Sequence, residues 1–153
     1  MQEMYPDIKI AILDTDSHHG NGTRDVTLGN HDVLHVCFCS YNRTEDNGTK
    51  ICVDSGYNTT DEKYLELVRK EFIARLEQFK PDLILHLLGH DTAVNDYGDR
   101  GLTKNFFLRL VDLINDSALR VCQGKYLINT HGGSNVEICE YIFPKIIRIL
   151  SKN

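Results

Sequence analysis

Ile8-Lys-Ile-Ala-Ile-Leu-Asp-Thr-Asp-Ser-His-His-Gly-Asn-Gly-Thr23 decides how this chain is read, because an apolar run ends in two carboxylates and two imidazoles and then in paired glycines. Ile8 to Leu13 has the character of a buried parallel strand, and in open α/β sheets ligands collect where such strands end. Along an extended backbone Asp14, Asp16 and His18 fall at alternate positions and share one side, while His19 points the opposite way. Carboxylate and imidazole together suit zinc or another borderline divalent ion, and a catalytic site of this kind needs one more ligand and an open position. Asp91 is the candidate, since it follows Asp82-Leu-Ile-Leu-His-Leu-Leu-Gly-His90 at the end of a second apolar strand. Two strand ends would then hold a water beside a polarised carbonyl. The competing reading makes Asp91 an ordinary turn residue.

Outward from these two strand ends the chain alternates. Ile8 to Leu13 and Val33 to Phe38 read as the first two strands, followed by a long loop from Ser40 to Thr60. Tyr64, Leu65, Val68, Phe72 and Leu76 recur at helical steps within Asp61 to Phe79, and Thr60 is placed to cap that helix. Leu83 to Leu88 is the third strand. Thr103 to Leu119 is a helix with Phe106, Leu110, Leu113 and Ile114 inward and Thr103 as cap. Tyr126 to Asn129 is a short fourth strand, and Asn135 to Leu150 is a closing helix that Pro144 should kink or restart near Phe143. Such alternation predicts an α/β fold, a parallel sheet with helices on both faces and right-handed crossovers. Asp91 to Gly101 would be the loop over the ligand end of the sheet. No repeat, low-complexity tract or linker divides the chain.

Four motifs stand in a telling order: Asp14-x-Asp-x-His-His-Gly-Asn-Gly-Thr23, Lys80-Pro-Asp-Leu-Ile-Leu85, Gly89-His-Asp-Thr92 and His131-Gly-Gly-Ser134. Together they resemble the zinc-dependent histone deacetylase and acetylpolyamine amidohydrolase superfamily, from about Ile8 to the last helix. The resemblance implies an arginase/deacetylase-like fold and a hydrolase that removes acetyl or related acyl groups from lysine or polyamine nitrogen. It implies Asp16, His18 and Asp91 as ligands of Zn2+, and Asp14 and Asn21 as residues that orient a pair of catalytic histidines. Ser134 takes the place of a tyrosine that in many members helps hold the oxyanion; serine is shorter, so His131 or His90 is a candidate to lean in. The alternatives for these two are a residue at a glycine turn and a packing residue at a strand end. Cys37 and Cys39 sit where the family often shows Ser-Leu-His, which bears on a monovalent-cation site. Ser40 to Thr60 matches poorly, so any substrate-channel loop there differs.

In that family the tandem catalytic histidines precede the first zinc-ligand strand, whereas this sequence starts only a few residues before it. Residues 1–153 are therefore expected to be one partial deacetylase domain, its C-terminal half, weak or inactive alone. A half sheet should leave an apolar strand edge bare, which predicts self-association or a partner supplying the N-terminal half. The alternative function is a non-catalytic metal-binding or interaction module. Arginase-like two-manganese chemistry is disfavoured by the single ligand set, and dinucleotide chemistry by glycines that complete no G-x-G-x-x-G turn.

Composition sets the remaining bounds. With 153 residues and 41% hydrophobic content the chain can bury a single core. A net charge of -5 offers no basic footprint for nucleic acid. No apolar run approaches a membrane span. Five cysteines, an odd number with no secretory signal, read as reduced thiols of a cytoplasmic protein. Cys37 and Cys39 alternate on one strand and share a face; a thiolate metal pair and buried packing are both open, and packing is favoured because no second Cys pair accompanies them.

Overall fold

A computed structural model describes residues 4–151. Among these, six strands form one sheet: β1 (Ile10–Asp14), β2 (Val33–Cys39), β3 (Arg43–Glu45), β4 (Lys50–Asp54), β5 (Leu83–Leu88) and β6 (Tyr126–Thr130). Their order is β3-β4-β2-β1-β5-β6, with every pair parallel except β3 on β4. The helices are α1 (Asn21–Thr27), α2 (Asp61–Val68), α3 (Ala74–Phe79), α4 (Lys104–Cys122) and α5 (Val136–Leu150).

Alternation along the strands sorts their side chains into two faces. Ala11, Leu13, Val36, Phe38, Ile84 and Leu88 turn to one face, where they pack with Tyr64 and Phe72, with Phe106 and Ile114 of α4, and with Ile142 and Ile146 of α5. On the other face Ile12, Val33 and Leu87 make a small cluster with Ile10 and Leu85. Among the described residues α1 is the helix on that side, reaching Cys52 of β4 through Arg24. Both faces thus carry helices, but unequally: Val26 and Leu28 at the α1 end are 83% and 61% exposed, and Leu127 of the edge strand β6 is 51% exposed.

Several boundaries differ from the periodic reading. The stretch Ser40 to Thr60 is not a plain loop, because β3 and β4 form a hairpin across a 3-10 turn, Asp46–Gly48. Its inner strand was hidden by Lys50, a residue type that reads as surface. Here Lys50 is fully buried and its ammonium donates to the carbonyls of Val33 at 2.6 Å and Asn30 at 3.0 Å. α1 also goes unheralded, since its first turn overlaps the glycine-rich motif. The predicted helix over Asp61 to Phe79 is α2 and α3 joined by a π-helical turn, Arg69–Ile73, and one inserted residue leaves the apolar spacing nearly unchanged. Thr60 caps α2 by accepting from the Lys63 N–H. Thr103 precedes α4, but its N–H and hydroxyl both donate to the Asp61 carboxylate, tying the starts of α4 and α2 together.

Pro144 neither ends nor restarts the last helix. α5 runs unbroken from Val136 to Leu150, with Pro144 on its exposed side. The carbonyl deprived of its partner there can take water, and packing on α4 holds the rest of the helix. β1, β2, β4, β5 and β6 all run the same way, so their C-terminal ends meet at one rim.

Candidate metal centre

At that rim β1 ends in Asp14 and the chain leaves the sheet under restraint. The Thr15 N–H donates to the Leu87 carbonyl, and its hydroxyl lies 2.9 Å from His86 Nε2. Beyond this anchor Asp16 and His18 meet Asp91, which follows β5, with one ligand atom of each within 4.8 Å of the others. His18 Nδ1 is 3.0 Å from Asp16 Oδ1 and 3.1 Å from Asp91 Oδ2. Both carboxylates are buried, while the His18 side chain is 63% exposed, so the group is open on the histidine side.

Backbone donors fix the carboxylates. The His18 N–H donates to Asp16 Oδ1 at 2.8 Å, the Gly132 N–H to Asp16 Oδ2 at 3.1 Å, and the Ser17 N–H to Asp91 at 3.2 Å. Close approach explains two glycines: a Cβ on Gly89 would stand 2.7 Å from both the Asp16 Cα and Asp91 Oδ1, and one on Gly132 would collide with the Asp16 carboxylate. Burial, helped by the neighbouring Asp16 charge, pushes the Asp91 carboxyl up to about 6. Asp16 is pushed up by burial too, but hydrogen bonds from the His18 N–H and His131 outweigh that and hold it below the usual range. Two carboxylates so close in a buried place resist joint ionisation, and a divalent cation between them offsets both the burial and the repulsion. The donor set therefore fits a divalent metal ion.

The other sequence-derived candidates fall at varied distances from this trio. His131 Nδ1 lies 3.0 Å from Asp16 Oδ2, so it props Asp16 of the trio. Asp14 is buried behind the trio, accepting from the Asp16 N–H at 3.2 Å with His35 Nε2 3.4 Å away. Asn21 is exposed in the first turn of α1. Ser134 is drawn away: its hydroxyl donates to Asp96 Oδ1 at 2.8 Å and its N–H to the same carboxylate, which also receives the Asn135 N–H at the start of α5. His90 packs under Gly133, edge-on to Phe143, with Nε2 3.2 Å from Cys139 Sγ. It is a packing residue and does not turn toward the trio.

The profile of the histone deacetylase domain matches residues 1–150 of the chain. The chain belongs to the histone deacetylase family. Its relatives include the histone deacetylase-like amidohydrolase of Pseudomonas aeruginosa, 28% identical over 159 residues that cover 94% of this chain and 41% of that protein. An uncharacterized protein of Methanocaldococcus jannaschii is 32% identical over 135 residues, 78% of this chain and 39% of that one. Among solved structures, an acetylpolyamine aminohydrolase from Burkholderia pseudomallei superposes with a TM-score of 0.78 at 24% identity, covering 94% of this chain and 45% of that one, which establishes the shared fold. The chain thus spans less than half the length of these relatives. No helix among the described residues is long and apolar enough to cross a membrane.

Two side chains of this histone deacetylase family member escaped the sequence reading. Tyr97, in the loop after Asp91, stacks on the His18 ring at 5.7 Å, and its hydroxyl accepts the Gly133 N–H at 2.9 Å. Arg100 is fully buried: Nε donates to Ser17 Oγ at 2.9 Å, and Nη2 to the Ser17 carbonyl at 2.6 Å and to Ser40 Oγ at 2.8 Å. Neither position belongs to a periodic pattern. The only local signal was the turn-rich segment Asp96-Tyr-Gly-Asp-Arg100 itself.

Proposed function

We propose that this chain is the metal-holding part of an amide hydrolase that removes acetyl or related acyl groups from lysine, polyamine or other small amine nitrogens, with Zn2+ as its ion. The observation that carries the reading is the meeting of Asp16, His18 and Asp91 with one side open. That side borders a cleft of about 260 Å³ lined by Ser17, His18, Ser40, Tyr57, Tyr97 and Arg100 among others. When bound, zinc supplies Lewis-acid polarisation of an amide carbonyl and acidifies a water. In this reading Tyr97, not Ser134, donates to the carbonyl oxygen; the support is that its hydroxyl lies at the trio's rim, whereas the Ser134 hydroxyl is committed to Asp96. His131 positions Asp16. Asp14 and Asn21 keep the role of orienting a histidine pair contributed from outside these residues.

A second reading, a metal-binding module without turnover, is favoured by one observation. The described histidines around the trio are engaged: His18 in it, His131 on Asp16, His35 on Asp14, His86 under Thr15, His90 under Gly133 and His19 among thiols. A partner that covers the bare sheet face and adds a general base, either the remaining half of a deacetylase domain or a second copy, reconciles the two readings; the exposed Val26, Leu28 and Leu127 support such docking.

The test is zinc content by elemental analysis of the chain and of Asp16→Ala, together with release of acetate from an acetyl-lysine peptide and an acetylated polyamine. Zinc that depends on Asp16, with acetate release that is slow in the chain alone, is the expected result. Asp16-dependent zinc without release would favour the binding module. Absence of any Asp16-dependent zinc would overturn both. Sedimentation or light scattering at high concentration checks the docking face, where a strictly monomeric chain would exclude self-association.

A further inference from the structure

His18 and His19 are consecutive, and beyond the bend over Asp16 to His18 they reach different neighbours. His18 joins the carboxylates. His19 enters a pocket of three buried thiols, with Nδ1 3.4 Å from Cys52 Sγ and 3.9 Å from Cys39 Sγ. Cys37 and Cys39 alternate on β2, and Cys52 is the register partner of Cys37 on the neighbouring parallel strand β4. His19, Cys37 and Cys39 bring their ligand atoms within 4.8 Å of one another; Cys52 stands outside that group but beside its histidine, with Sγ 3.4 Å from His19 Nδ1, and is the candidate fourth ligand.

We propose that His19, Cys37, Cys39 and Cys52 form a second metal site, closed and structural, for zinc or a similarly thiophilic divalent ion, separate from the Asp16-His18-Asp91 trio. Tetrahedral zinc with Zn–S of about 2.3 Å and Zn–N of about 2.0 Å implies an N···S edge of roughly 3.5 Å. The two His19 distances bracket that edge. Four ligands leave no open position, which separates this site in kind from the trio.

Charge is provided for as well. Three thiolates and a dication leave one net negative charge in a buried place, and the buried Arg24 puts Nη2 3.0 Å from Cys52 Sγ while its Nη1 pairs with Glu45. The Gly20 N–H points at Cys37 Sγ, 3.4 Å away. Hydrogen bonding from Cys37 first, and from neighbours including His19, draws the Cys39 thiol down to about 5. Cys37 is pushed up, chiefly by that same hydrogen bond, and Cys52 is pushed up to about 11, chiefly by burial. The thiols that still carry a proton release it to solvent as the three metal–sulfur bonds form. Cys37 also lies near Asp14 and His35; the three-thiol set is preferred because soft donors outnumber oxygen there. Since His19 follows His18, an ion in this pocket pins the segment that carries a ligand of the trio.

Cobalt(II) titration of the metal-free, reduced chain tests this, because only thiolate ligation produces an intense charge-transfer band in the near ultraviolet, and the trio contains no sulfur. Wild type and Asp16→Ala should both show the band, and Cys39→Ser and Cys52→Ser should lose it. His19→Gln, a change at a half-exposed side chain, should keep the fold by far-ultraviolet dichroism yet bind cobalt at least tenfold more weakly at the sulfur band. That variant decides the matter where a cysteine variant fails to fold. Folded wild type with no band would overturn the proposal, as would a band that survives in the folded Cys39→Ser/Cys52→Ser double variant. A Cys37–Cys52 disulfide in the protein as isolated, seen as two missing thiols, with no band after its reduction, would also overturn it.

Discussion

Two donor sets sit back to back at one rim of the sheet and share a single segment of backbone. One side of it presents two carboxylates and an exposed imidazole; the other presents three buried thiols and a half-buried imidazole. The first is hard, open and built from strand ends, where backbone N–H groups converge and a substrate has access. The second is soft, closed and built mainly on the neighbouring strands β2 and β4, which supply Cys37, Cys39 and Cys52 at fixed spacing. The bend over Asp16, Ser17 and His18 feeds both, with His18 on the carboxylates and His19 among the thiols. Arg100 is the strut between them, since it grips Ser17, which lies between two trio ligands, and Ser40, which follows Cys39.

Independence of the two sets is the sharpest claim to break. Asp16→Ala should abolish metal at the trio and leave the cobalt–thiolate band intact, and Cys39→Ser should do the reverse; loss of both metals from either folded variant would show a single coupled centre. Arg100→Met should come next in size. It removes several charge-assisted hydrogen bonds and leaves Ser17 and Ser40 unpartnered, so urea unfolding should register a loss of about 3 kcal/mol or more, with both metals bound more weakly. A loss under 1 kcal/mol would mean the strut is incidental. His131→Ala touches only the trio. Removing a partner that props a ligand typically weakens metal binding about tenfold to a hundredfold, and calorimetry should find that drop for the Asp16-dependent ion alone.

The smallest effect concerns the segment both sets share. His86 sits beneath Thr15, bonded also to the Tyr126 hydroxyl at 2.7 Å, and burial lowers its pKa to about 3. The folded state therefore refuses a proton that the unfolded chain accepts near 6.5. The resulting stability is complete above pH 6.5 and is lost as the pH falls toward 3, amounting to about 1 kcal/mol between pH 6.5 and 5.5. Asp91, raised to about 6, acts with the opposite sign in the metal-free chain between about 4 and 6. Denaturant midpoints of wild type and His86→Gln across this range cancel the Asp91 contribution, and wild type should lose more on acidification. Parallel curves would show that His86 is not held neutral by burial.

What the sequence by itself determined was the family and which side chains gather at the rim. Apolar runs ending in Asp14-x-Asp-x-His and in Gly-His-Asp91 announce strand ends whose side chains meet as Asp16, His18 and Asp91, whereas the separation of His18 from His19 comes from a bend and not from the strand alternation expected of the sequence. The helices of the thick layer were legible because their apolar stripes recur at a single period. Tertiary structure alone decided the rest. Lys50 could become the start of a buried strand only once the Val33 and Asn30 carbonyls stood ready to receive its ammonium, and that strand then carried Cys52 to Cys37. Ser134 was spent on Asp96, and Tyr97 came to His18, through loops whose course no periodicity encodes. Local pattern states which face a residue occupies; which distant residue shares that face is set by strand order and register, and these are properties of the whole sheet.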